Sequence, residues 1–387
     1  MKDLINKYGD PISVVFSNDK NYCHLIWEFD DTFEVSYKQL NNNNILNDLQ
    51  NKIDTWKDYS DNIAAVGYFS YDAKQIFFPR VKFKKIESSL PLVWFGKPKK
   101  ISTVTKKDFN DYYSSFCKLR KNIDIIKQDE YNKKIDTIKM YLAAGDVYQI
   151  NFTQPLQYSC SGSPLGIFSA LSMSSQSNFS AFMNINGHQI ISLSPENFFT
   201  KTNNVISSSP IKGTRTRSHD KNEDKQLINE LKNSEKDRAE HIMIVDLIRN
   251  DLGKICKFGT VKTKNLFKVH SFKTIHHMIT DVIGELKENA KEMDIFEALF
   301  PGGSITGAPK QSALEIIDQI EEYSRGIYTG SIGFISKEGD MNFNIAIRTL
   351  ILNQREAIYP VGGGIVWDSD AEEERKEAIY KSKILDI

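Results

Sequence analysis

Apolar positions along this chain change period several times, and each change marks an element. Short alternating or continuous apolar runs at 12–16, 25–29 and 66–71 predict strands joined by irregular connections. Tyr131, Ile135, Ile138 and Leu142 then recur at helical spacing, and Gly145 stands where a helix C-cap belongs. Tyr148, Ile150 and Phe152 alternate with Gln149, Asn151 and Thr153, which predicts a strand. Asn186-Gly187 between 179–183 and 189–193 predicts a hairpin, as does Asn203-Asn204 before Val205-Ile206. Ser234, with Asp237 three residues on, predicts a capped helix that Gly253 ends. A helix is expected over 311–323, and another opens near Asp370. A meander over 327–336, 344–352 and 357–361, turning at 337–340, lies between them. Sequential hairpins with helices in separate blocks predict an α+β fold rather than a doubly wound parallel sheet.

Composition removes several classes of function. Lys plus Arg and Asp plus Glu are 50 each, so the net charge is zero. That argues against nucleic acid and against a membrane surface as partners. No run approaches the roughly 20 apolar residues of a membrane span. Met1-Lys2-Asp3-Leu4-Ile5-Asn6 has no secretory apolar core, so a cytoplasmic location is expected. Cys23, Cys117, Cys160 and Cys256 form no C-x-x-C pair and fit neither a disulfide framework nor a zinc site. No internal repeat occurs, and Asn41-Asn42-Asn43-Asn44 reads as a loop. A polar stretch over 102–128 reads as a join. It separates an N-terminal region, 1–125, from a second region, 126–387.

Six places could carry chemistry. In Pro210-Ile211-Lys212-Gly213-Thr214, Lys212 is either a solvated loop cation or a held amine. To act as a nucleophile it must be neutral, so burial or cationic neighbours such as Arg215 and Arg217 must depress its pKa from ~10.4. On the helix after Ser234, Glu240 shares a face with Met243, Ile244 and Leu247, and a carboxylate there needs a partner. Asp237, one turn earlier, also suits the helix macrodipole. Glu374 and Glu377 are spaced i, i+3 in an acidic helix start, which is either a solvated face or an oxygen ligand set suited to Mg²⁺. The loop Gly302-Gly303-Ser304-Ile305-Thr306-Gly307-Ala308-Pro309-Lys310 runs into a helix and offers backbone N–H groups to an anion. Ala308 stands where a P-loop lysine would follow, so a carboxylate fits better than a nucleotide phosphate. His276 and His277 point to opposite faces of a strand, so one at most faces a given site. Gly362-Gly363-Gly364 marks a close backbone approach.

Taken in order, the segments Ser194-Pro195-Glu196, Pro210 to Thr214, Asp237-Arg238-Ala239-Glu240-His241, Asp246 to Leu252, Gly302 to Lys310, Tyr328-Thr329-Gly330 and Gly362 to Val366 resemble the chorismate-utilising enzymes. The resemblance spans about 125–387. That family includes anthranilate, aminodeoxychorismate, isochorismate and salicylate synthases. Lys212 in Pro-Ile-Lys-Gly-Thr, and Tyr148-Gln149-Ile150-Asn151, resemble the aminodeoxychorismate branch. Anthranilate synthase component I is the alternative. The resemblance implies two stacked antiparallel sheets with helices outside, the 1–125 strands joining the same fold. It implies Mg²⁺-dependent amination of chorismate in para-aminobenzoate and folate biosynthesis, with ammonia from a separate glutamine amidotransferase subunit (component II). By the same resemblance Lys212 is the nucleophile, Glu196 the general acid, and His277 a group near the ring. Glu240, Glu377 and Glu374 are the Mg²⁺ ligands. Thr306, Gly307, Tyr328, Arg348, Gly363 and Lys381 contact substrate carboxylates. The N-terminal third offers no segment that matches the tryptophan-feedback motif of the anthranilate synthases, which favours the folate branch and leaves a tryptophan pocket open.

Overall fold

The computed structural model describes residues 1–386 except 18–20, 87, 115–116, 125–126, 176 and 273–274. Among the described residues are eighteen strands and eleven α-helices. Every strand pairing is antiparallel, and the pairings join into one connected network, so the predicted α+β class and antiparallel arrangement hold.

The N-terminal strands are woven into the rest. Ser13–Phe16 pairs with Phe179–Ile185, and Ile63–Phe69 pairs with Ser331–Ser336. The 125/126 boundary lies outside the described residues. The polar stretch before it is more ordered than a join. The strand Val93–Thr105 runs into it, and a helix Lys106–Tyr113 follows, capped by Thr105 and buried through Phe109 and Tyr113. Two large apolar side chains suffice to dock a short helix, and an average over a polar window hides them.

The long strand Gln149–Ser161 is central to the site. It pairs along its length with Glu356–Ile365, placing Gly363 opposite Phe152 and Gly364 opposite Asn151. Its first residues also pair with Gly307–Ala308. A phenylalanine cluster packs beneath, with Phe69 and Phe296 ring centroids 4.5 Å apart and Phe296 and Phe343 4.9 Å apart. Aromatic pairs of this kind contribute about 0.5–1.5 kcal/mol each beyond their area burial.

A buried pin crosses these layers. Arg325, 1% exposed, donates to both oxygens of Glu321 at 2.7 Å. It also donates to the carbonyls of Asn151 (2.6 Å) and Ile305 (3.0 Å), and its guanidinium lies 4.3 Å from the Tyr71 ring centroid. One side chain thus joins the central strand, the Gly-rich loop and the end of the helix Lys310–Ile320.

Candidate active site

Lys212 lies within a strand, Ile211–Thr216, not in a loop. The register slips between Lys212 and Thr214, with Gly213 at φ +75°. A bulge of this kind re-aims the side chain before it. A Cβ at Gly213 would stand 2.8 Å from Leu231 Cδ1 and push that side chain aside, and the positive φ itself favours glycine.

Lys212 is half-buried, and the desolvation of its amine lowers its pKa. Glu240, Glu196 and Glu377 favour the charged form, Lys381 opposes it, and burial outweighs the carboxylates. The expected cationic neighbours have other roles. Arg215 pairs with Asp237 at 2.9 Å and Arg217 with Asp224 at 2.8 Å.

Across from the amine, Glu196 is buried, and burial pushes its pKa up to about 7. The Ser304 hydroxyl donates to Glu196 Oε1 at 2.7 Å, and this contact and Lys212 both pull the other way. A carboxyl near 7 is protonated for a large fraction of the time at neutral pH, as a general acid must be.

Three glutamates border the same space. Glu240 sits one turn beyond Asp237 on the helix Glu235–Ile255 and is raised by burial. That helix begins at the Ser234 cap as expected but runs past Gly253 to Ile255. Gly253 is not in the left-handed conformation of a helix C-cap, so the helix continues through it. Glu374 and Glu377 lie on the helix Ala371–Tyr380. Glu374 accepts from the Ser369 hydroxyl at 2.6 Å and is raised by burial. Lys381, 3.0 Å from Glu377, holds that carboxyl below its usual range.

Among the described residues no three His, Cys, Asp or Glu side chains form a metal-holding cluster. The three glutamates still share one electrostatic field with Lys212, Lys236 and Lys381. That set suits a cation held by one or two carboxylates together with an anionic substrate, not an all-protein cage.

His277 and His276 separate as the strand period requires. His276 is buried between Asp224 and Ser271, each at 2.9 Å, a structural role. His277 meets the Thr214 hydroxyl at 2.9 Å through Nδ1, while its buried Nε2 has no partner. Burial, then Arg348, holds it down to about 4, so the ring is neutral.

Arg348 was expected inside a strand over 344–352. The strand is broken between Asn344 and Thr349, and Arg348 adopts φ +51° in the gap. The backbone N–H groups of Ile345 and Ala346 turn to Glu196 and Gly330 instead. That break places a half-buried guanidinium beside His277.

The residues expected to contact substrate divide. Lys381 donates to the Gly362 carbonyl at 2.9 Å, and a Cβ on Gly363 would lie 3.4 Å from Glu374 and 3.7 Å from Lys381, so these line the glutamate side. Tyr328 is buried near Arg325. The Thr306 hydroxyl donates to the Gly302 carbonyl, closing its own loop. At Gly307, φ is +147° and a Cβ would stand 2.1 Å from the Gln149 carbonyl, so glycine is needed for strand contact. Thr306 and Gly307 shape the loop through their backbone.

Three features were not read from the sequence. Ser304 touches Glu196, Arg325 pins the layers, and Gln149 is fully buried with neither amide atom partnered. The Gln149 amide nitrogen lies 2.5 Å, and the Lys212 amine 3.4 Å, from where a Cβ on Gly364 would stand. The glycine therefore leaves room that a side chain would take from both groups.

Anthranilate synthase component 1 of Saccharolobus solfataricus is 35% identical over 332 residues, 83% of this chain and 79% of that protein. Aminodeoxychorismate synthase component 1 of Salmonella typhimurium is 42% identical over 252 residues, 65% of this chain and 56% of that protein. The same-named protein of Escherichia coli is 42% identical over 254 residues, with 66% and 56% covered. The match thus spans little more than half the length of these aminodeoxychorismate relatives. The crystal structure of anthranilate synthase component I from Streptococcus pneumoniae TIGR4 superposes with a TM-score of 0.82 at 25% identity, covering 95% of this chain and 93% of that one. No helix among the described residues is long and apolar enough to cross a membrane. The sequence profile of the chorismate binding enzymes matches residues 11–385, nearly the whole chain, and the chain belongs to that family.

Proposed function

We propose that the chain aminates chorismate, replacing the 4-hydroxyl with an amino group and keeping the enolpyruvyl ether, as an aminodeoxychorismate synthase component. The observation that carries this reading is the pairing of Lys212, whose basicity burial lowers, with Glu196, whose pKa burial raises to about 7. Hydroxide leaves poorly, so a proton donor and a nucleophile that divides the displacement in two are both required.

The neutral Lys212 amine attacks C2, the ring double bond shifts, and the C4–O bond breaks as Glu196 gives its proton to the departing oxygen. Water leaves. Ammonia then forms a bond at C4, the double bond shifts back, and the C2–N bond to Lys212 breaks. The Glu196 carboxylate takes the proton that ammonia sheds. Neutral His277 and the Arg348 guanidinium border the ring and its carboxylates. Glu240 and Glu377, with Glu374 beside them, would hold Mg²⁺, which supplies charge neutralisation for the ring carboxylate.

Ammonia would come from a glutamine amidotransferase subunit, in keeping with the name component 1 borne by the relatives. The test is to incubate the chain with chorismate, Mg²⁺ and ammonium and weigh the product. A product that retains the pyruvyl group and exchanges oxygen for nitrogen supports the reading. Anthranilate with free pyruvate would support the second reading, anthranilate synthase, which the 35% identity over 83% of the chain favours. Glutamine without a partner subunit is expected to be inert as donor.

A further inference from the structure

Ser304 lies in the short 3-10 turn Gly303–Ile305, and its hydroxyl donates to Glu196 Oε1 at 2.7 Å. A protonated carboxyl has one O–H and one carbonyl-type oxygen. The oxygen that already accepts a hydroxyl proton is the poorer seat for the acid's own proton. A donor at Oε1 therefore leaves the O–H on Oε2. We propose that Ser304 is a positioning residue that fixes which oxygen of Glu196 carries the transferable proton. The inference rests on the reading of Glu196 as general acid.

The surroundings hold both partners in place. A Cβ on Gly303 would stand 2.3 Å from Leu247 Cδ2, and one on Gly302 2.7 Å from Ile345 Cδ1, so the loop lies directly on its neighbours. Lys310 donates to the Leu299 carbonyl at 2.8 Å and to Asp251 Oδ2 at 2.7 Å. It thereby ties both ends of the loop to the helix Glu235–Ile255. The Glu196 backbone is fixed as well: its N–H donates to the Ser194 hydroxyl at 3.1 Å, and its carbonyl accepts from Ile345 N–H at 3.1 Å.

Two charged groups face Glu196. Lys212 approaches from the strand Ile211–Thr216. Asp251 faces it from the helix across a cavity of about 20 Å³, which Ser208 also lines and which has room for one water. Lys254 and Lys310, each 2.7 Å from Asp251, already balance that aspartate. Ser304 is therefore the neighbour that distinguishes the two oxygens by a direct hydrogen bond.

The experiment compares Ser304→Ala and Ser304→Thr with wild type. Glu196 is titrated in the ligand-free protein by its infrared carboxyl band, with Glu196→Gln as the subtraction reference, and amination kinetics are measured across pH. In Ser304→Ala, Glu196 should titrate roughly one unit higher, because a donor that favours the carboxylate is gone. The basic limb of the kcat profile should move with it, and kcat should fall about tenfold with KM within about twofold, a part of the 10²–10⁴ that a general acid supplies. Ser304→Thr keeps the hydroxyl and should stay within about threefold of wild type. Unchanged titration in Ser304→Ala, or a shifted titration with wild-type kcat, overturns the proposal. Wild-type amination by Glu196→Gln would instead remove the general-acid reading, whatever Ser304 does to the titration.

Discussion

Replacing Arg325 with Met should unfold the protein more readily than any comparable surface change. The guanidinium makes two bonds to Glu321 and one each to the carbonyls of Asn151 and Ile305, all in an interior site. Methionine removes the cation but leaves Glu321 buried, with only the Thr153 N–H and hydroxyl as donors. Breaking a buried ion pair from one side costs about 3–5 kcal/mol. Stranding the two carbonyls adds about 1 kcal/mol or more each, so a loss of roughly 5 kcal/mol is expected. Most of this is the penalty of an uncompensated charge, not the net contribution of the pair. The double variant Arg325→Met/Glu321→Leu should therefore be more stable than Arg325→Met alone, by about 2 kcal/mol. Urea unfolding followed by the fluorescence of the four tryptophans measures both. A loss under about 2 kcal/mol for the single variant, or simple additivity in the double, would refute the assignment of the pin.

Glu196→Gln tests the buried carboxyl through stability. Because the folded pKa is raised from 4.5 to about 7, wild type keeps its full stability below 4.5 and loses some as pH climbs through 7, whereas the amide loses none. The variant should gain about 3 kcal/mol on wild type between pH 4 and 8, and a flat difference would disprove the burial account. Gly364→Ala should lower kcat/KM at least about tenfold and cost about 1–3 kcal/mol of stability, since its Cβ would stand 2.5 Å from the buried Gln149 amide and 3.4 Å from the Lys212 amine. Glu240→Gln and Glu377→Gln should each weaken Mg²⁺-dependent chorismate binding by about tenfold or more in calorimetry; a wild-type isotherm removes that residue from the ligand set. Peptide mapping after trapping with chorismate should find an adduct at Lys212 that Lys212→Ala lacks, and an adduct elsewhere sinks the nucleophile assignment.

What the sequence made legible was local. Four apolar residues at helical spacing and a glycine C-cap correspond to the helix Gln128–Ala144, with Gly145 at φ +79°. Asn186-Gly187 turns with both φ angles positive, as a two-residue hairpin requires. Misreadings arose where distant contacts decide. Ile345, Ala346 and Ile347 look like strand residues, yet Glu196 and Gly330 capture the N–H groups of the first two and break the strand. Gly253 looks like a helix stop, but Leu252 before it and Ile255 after it are both buried and carry the helix on. Motif order showed which residues to examine at the site. It did not show that Ser304 reaches a carboxylate 108 positions away, or that burial rather than Arg215 depresses Lys212. Periodicity reports which face an element buries; it carries no information on what lies across from that face.

The weaving of early strands onto late ones also bears on synthesis. Ile63–Phe69 is buried at every position and has Ser331–Ser336 as one partner. A ribosome adding ~5–20 residues per second leaves that edge open for on the order of 10–50 s before its mate emerges. An apolar strand with an unfilled edge invites pairing with other chains. Long-range pairing of this sort also slows folding. Newly made chains are therefore expected to depend on chaperones that shield this edge, and truncations before residue 331 should aggregate rather than give a smaller working enzyme.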